Sequence, residues 1–168
     1  MHMKTGAEGG KLNYLLGLPS VPGVLIMGSS RANHHVDPEA FLTPTFNLAE
    51  DGRGIAYNTS VLKILEANKT LSDTIILHID KKNFQHHKVM GDYKGLDIKA
   101  LSFFYSREKS VTNYINAFSF SERVKYFFKL FRHNGRVAII FENFIESKMR
   151  GDFKDNGYRP IEKKKRIV

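Results

Sequence analysis

The sequence predicts a single α/β domain in which a parallel sheet carries helices on both faces. Three observations lead there. Val24–Met27, Thr74–Ile79 and Val137–Phe141 are short continuous apolar runs, without the period-two alternation of a strand exposed on one face, so they read as strands covered on both. Helical patterning lies between the first two runs, and strands that alternate with helices imply right-handed crossovers and parallel pairing. At 168 residues and 42% apolar content, the chain is the size of one domain and can bury a core.

The elements follow in order. Residues 1–21 have no clear period and contain Gly and Pro, so they read as an N-terminal arm, with Leu12–Leu16 docking on the body; residues 22–168 form the domain. Val24–Met27 is the first strand, expected in the interior of the sheet. Asp37-Pro38 places a capping residue before a proline at the first helical position, which predicts a short helix over Pro38–Leu42. Thr45–Ala49 is a second, weaker strand that ends in the turn sequence Glu50-Asp51-Gly52-Arg53-Gly54. From Ile55 to Ala67, Tyr57, Val61, Ile64 and Leu65 share one face at a 3.6 period, an amphipathic helix. Thr74–Ile79 is the third strand. Residues 84–118 are mixed, helical in parts, and read as an insertion or lid beside the sheet. Ser119 and Glu122 have capping-box spacing, and a helix follows to His133 with Phe120, Val124, Phe127 and Phe131 on one stripe, stopped by Asn134-Gly135. Arg136–Phe141 is a further buried strand, and 151–160 a loop. No internal repeat is present.

Composition excludes several function classes. The chain has no cysteine, which removes disulfides, thiolate metal sites and cysteine nucleophiles. Its apolar runs are only a few residues long, so no segment spans a bilayer, and no signal-peptide core is visible near Met1. The net charge of +9 is uneven. Residues 120–168 hold thirteen basic against six acidic residues, and residues 1–119 thirteen against eleven. The basic part ends in Lys163-Lys164-Lys165-Arg166; it reads either as a solvated tail or as a surface that holds an anionic partner.

The chemistry concentrates in Val24–Pro38, "VLIMGSSRANHHVDP". In an open α/β sheet, ligands bind outside the carboxyl ends of the strands, and Gly28-Ser29-Ser30 follows the first strand directly. Glycine permits a sharp turn that lifts Ser30 toward solvent, where backbone N–H groups can stabilise an oxyanion. A serine hydroxyl is a weak nucleophile and needs a base. Ser30 also reads as an ordinary turn or capping serine, and Arg31 as a surface cation. Asp80, at the end of the third strand, marks a site edge, because an unpaired carboxylate is costly to bury.

Three blocks, "VLIMGSSRANHHVDPEAF", "FNLAEDGRG" and "TIILHIDKKNF", in that order and at those spacings, resemble the opening half of SGNH hydrolases, the GDSL-type esterases. They are most similar to divergent bacterial members whose first block reads Gly-Ser-Ser-Arg. The resemblance covers about residues 24–84. It implies a three-layer α/β/α, flavodoxin-like fold, incomplete at its C-terminal end, and hydrolysis of an ester on a small molecule, carbohydrate or lipid without cofactor or metal. Ser30 is then the nucleophile and a backbone oxyanion donor. Gly52 is the second donor, with Gly54 as competitor, and Asn83 the side-chain donor; Ser29, Arg31 and Asp80 form the site edge. The family's third block, Gly-x-Asn-Asp, and its C-terminal Asp-x-x-His are missing. The sequence therefore predicts slow or no ester hydrolysis, unless His34, His35, His86 or His87 substitutes as base. The alternative is a non-catalytic domain whose basic C-terminal part binds a polyanion.

Overall fold

The computed structural model describes residues 10–81, 101, 104–106, 108–118, 120–127 and 153–161. Helix α1 (Gly10–Leu16) leads into strand β1 (Val24–Met27), helix α2 (Ser30–His35), a 3-10 turn at Pro38–Ala40 and strand β2 (Thr45–Asn47). Helix α3 (Ile55–Ala67), strand β3 (Thr74–Leu77) and helices α4 (Lys109–Phe118) and α5 (Phe120–Phe127) follow. The three strands form one parallel sheet in the order β2-β1-β3, so the fold is mixed α/β and β1 is interior, as its continuous apolar run predicts. Val24 stands opposite both Thr45 and Thr74, which brings the three carboxyl ends level.

Alternation along β1 divides the core. Leu25 and Met27 face a cluster with Leu12 and Leu15 of α1, Phe46 of β2, and Tyr57, Val61, Ile64 and Leu65 of α3. Ile26 faces the other way, onto Ala32 of α2 and Ala49. The four residues that define the apolar face of α3 in the sequence are all buried. That helix ends on Asn68, after which Lys69 takes a left-handed conformation at φ 55°. Its N–H donates to Glu66 O, and the Thr70 N–H to Leu65 O, the hydrogen-bond pair of a Schellman ending.

Several expectations need correction. The N-terminal segment has a helix, α1, where no period announced one, although its Leu12 and Leu15 join the main cluster, as the expected docking of Leu12–Leu16 requires. A helix begins at Ser30 itself, well before Asp37-Pro38. At that later site Asp37 does cap, its carboxylate accepting from the Glu39 N–H at 3.0 Å, but only a 3-10 turn of three residues forms, too few to build an α-helical ladder. The third strand is not buried. All four of its residues are exposed, because the helices described here pack over β1 and β2. Phe120, Val124 and Phe127, expected to face the core, are exposed on α5. The Ser119 cap, the continuation to His133, the strand at 136–141 and the basic run at 163–166 lie outside the described residues, as do 84–100 of the expected insertion. No helix among the described residues is long and apolar enough to cross a membrane.

The loop at 153–161 returns to the sheet and closes the outer edge of β2. The Asn47 N–H donates to Asn156 O at 2.8 Å, while Phe153 packs edge-on against Tyr14, which in turn stacks on Phe46. Gly157 is obligatory in this turn. It sits at φ 78°, and a Cβ there would press on the Asn47 carbonyl and the Phe46 ring.

Candidate active site

The carboxyl ends of the three strands build the site. Gly28 ends β1 at φ 138°, a conformation that L side chains rarely adopt. A Cβ on it would lie 2.9 Å from the His78 Cβ and 3.0 Å from the His78 carbonyl, so glycine is needed both for the turn and for the close approach of the third-strand end. Its own carbonyl accepts from the Glu50 N–H at 3.3 Å, and the Met27 carbonyl from the His78 N–H at 3.0 Å. Both neighbouring strand ends are thereby held against the Gly28 turn.

Ser29 is the N-cap residue of α2, although its hydroxyl makes no capping bond, and Ser30 is the first residue of that helix. Ser30 is exposed. Arg31 reaches across to the end of the third strand, where its Nη1 lies 3.0 Å from Asp80 Oδ2. Gly52 is exposed at φ 74° in the loop after β2. Ser29, Ser30, Arg31, Gly52 and Asp80 therefore share one edge of one sheet. Gly54 instead caps α3, and Asn58 Nδ2 donates to its carbonyl at 2.8 Å. Asn83, His86 and His87 lie outside the described residues.

Of the candidate bases, His35 is exposed and His34 is already engaged. The His34 Nε2 lies 3.1 Å from Asp51 Oδ2 and its Nδ1 2.8 Å from the Arg159 carbonyl. In either neutral tautomer the ring's lone pair points at an oxygen, so in this arrangement His34 has nothing with which to take a proton from a hydroxyl.

Beneath this edge lies a polar network that the sequence reading missed. Lys11 of α1 is 3% exposed; its Nζ donates to Asn33 Oδ1 and, at 2.8 Å, to the Ala49 carbonyl. Asn33 passes the link on, donating from Nδ2 to Asp51 Oδ1 at 2.9 Å. Beside it Arg53 and Glu50, both buried, pair at 3.4 Å, and the Arg53 guanidinium lies over the Tyr57 ring. Burial lowers the Lys11 ammonium from its ordinary 10.5 to about 7, against the attraction of Glu50. Burial likewise raises the Glu50 carboxyl, against the opposing pull of Arg53 and Lys11. For Asp51, burial works upward, but hydrogen bonds from Asn33 and His34 outweigh it and the carboxyl is lowered. The network fixes the Asp51-Gly52 loop against α1 and α2. No local signal announces it, because Lys11 and Asp51 are forty residues apart and meet only in the fold.

No protein-family model, curated protein or solved structure matches this chain.

Proposed function

We propose that this chain is a serine esterase domain of the SGNH type, built on a flavodoxin-like α/β/α core. Ser30 is its nucleophile, with the backbone N–H groups of Ser30 and Gly52 as oxyanion donors. The observation that carries this reading is the position of Ser30, exposed at the first turn of a helix that starts three residues beyond the end of the interior parallel strand. Gly52 supports it from the neighbouring strand end, on a loop pinned by Asn33 through Asp51. In this scheme the Ser30 Oγ attacks the ester carbonyl carbon, and the carbonyl oxygen takes the negative charge between the two N–H donors. The substrate is an acyl or acetyl ester on a carbohydrate or lipid, following the family resemblance. Covalent capture of Ser30 by an organofluorophosphonate tests the reading, since such reagents react with an activated serine and not with an ordinary surface hydroxyl.

A further inference from the structure

We infer that Lys11 is a positioning residue of this site: its side chain ties the helix that carries Ser30 to the loop that carries Gly52, and so holds the nucleophile and the second oxyanion donor in register. The inference rests on the serine-esterase reading and concerns a residue far from both in the sequence.

Three elements meet at one amine. Leu12 and Leu15 anchor α1 in the main cluster, so the Lys11 stem enters from a fixed helix, and its Nζ lies 5.9 Å from the centroid of the Phe153 ring. On the α2 side, Nζ donates to Asn33 Oδ1. Asn33 is one turn from the nucleophile: it stands in the same helix as Ser30, and its backbone N–H donates to the Ser29 carbonyl at 3.0 Å. On the β2 side, Nζ donates to the Ala49 carbonyl at 2.8 Å. The Ala49 N–H donates to Asn47 Oδ1, and the Glu50 N–H to the Gly28 carbonyl. The chain just ahead of Gly52 is thereby held through successive backbone groups, and Lys11 supplies the one hold that also grips α2.

The chemistry of the amide gives this tie a direction. An asparagine side chain has one accepting and one donating end. Lys11 occupies the accepting end of Asn33, which leaves Nδ2 to donate to Asp51 Oδ1 at 2.9 Å. With the amide turned over, its oxygen would face the Asp51 carboxylate and its N–H groups would face the amine, both unfavourable. Lys11 therefore sets the link from α2 to the residue before Gly52. Charged or neutral, the amine keeps an N–H for each of its two acceptors, so the tie holds in both states. Asn33 and Ala49 are buried, and without Lys11 both acceptors are left without this donor. The loop relieves them by moving toward solvent, which carries Gly52 away from Ser30. An oxyanion donor has to meet the oxygen at the position it takes in the transition state, so such a displacement costs rate and spares the affinity for the unreacted ester.

The test is the saturation kinetics of Ser30 labelling by a fluorophosphonate in wild type, Lys11→Met and Leu15→Val, with the folded fraction of each fixed by circular dichroism. Lys11→Met keeps the apolar stem and removes the donors, whereas Leu15→Val loosens the packing of the same helix and leaves the tie in place. Lys11→Met should lower the maximal labelling rate by about 10- to 100-fold and leave the half-saturating probe concentration unchanged, the pattern of a contact that counts only as the reaction proceeds. Leu15→Val should keep both values. A lysine that only stabilises the fold would change the labelled fraction and not the rate. A maximal rate in Lys11→Met equal to that of wild type, or an equal fall in Leu15→Val, therefore overturns the inference and leaves the nucleophile standing. No labelling of wild type overturns both. If Lys11→Met does not fold, Asp51→Ala decides, since it cuts the tie at its half-exposed end: the maximal rate should fall likewise, and an unchanged rate overturns the inference.

Discussion

Asn47 shows how much of this site rests on single side chains. It is fully buried at the end of β2, where its Nδ2 donates to the Ala32 and Val36 carbonyls, each at 2.8 Å, and its Oδ1 accepts from the Ala49 N–H at 3.0 Å. One amide therefore closes the C-terminal end of α2 and shapes the first residues of the loop that carries Gly52. Truncation takes the partner from the Val36 carbonyl and the Ala49 N–H, while the Ala32 carbonyl keeps the Val36 N–H; each group left unpaired costs roughly 1–3 kcal/mol. Asn47→Ala should destabilise the fold by about 2–4 kcal/mol in urea unfolding, and a loss below about 1 kcal/mol would show that α2 holds its place without it. The sequence gives this asparagine no prominence, since one polar residue in a short apolar run looks like an interruption. Its importance comes from facing the carbonyls of an element fifteen residues earlier.

At the scale of elements, legibility follows the length of the period. Helix α3 is readable to its ends, because thirteen residues give a 3.6 repeat room to declare itself and Tyr57, Val61, Ile64 and Leu65 all land on the core. Helix α2 is not. Its six residues, Ser-Arg-Ala-Asn-His-His, bury only Ala32 and Asn33 and contain no apolar repeat, so the site's own helix is invisible to pattern and its start is set by Gly28 and the packing of Ala32 on Ile26. The place of Ser30 is legible from the apolar run of β1 and the glycine after it, Gly52 enters only through the three-block resemblance, and the Lys11 network requires the fold. The end of α3 gives a direct prediction. Lys69 occupies the left-handed position of the Schellman ending, where a Cβ costs roughly 1–2 kcal/mol and glycine is the usual occupant. Lys69→Gly should raise stability by about 0.5–1 kcal/mol, after the entropy that glycine loses on folding; a lowered thermal midpoint would contradict it.

Across the whole molecule, the buried charges couple the N-terminal helix to the site and make stability depend on pH. Lys11 releases its proton near 7 in the fold and near its ordinary 10.5 when unfolded. Between those values the unfolded chain binds more protons, so this residue makes stability rise with pH, and the gain is absent below about 7. Glu50 acts in the opposite sense at lower pH: its raised carboxyl makes the fold bind more protons than the unfolded chain above 4.5, and stability falls as pH rises there. The stability difference between wild type and Lys11→Met, from urea unfolding, should therefore shift in favour of wild type between about pH 7 and about pH 9. Parallel curves over that range would mean that Lys11 is charged in the fold.

The central claim, that the carboxyl edge of this sheet presents an activated serine, is tested most directly by mass spectrometry of the protein after reaction with an organofluorophosphonate. The account predicts one adduct per chain, carried by the peptide containing Ser30, and none in Ser30→Ala. An unmodified wild-type protein, or an adduct at another residue that persists in Ser30→Ala, would contradict it.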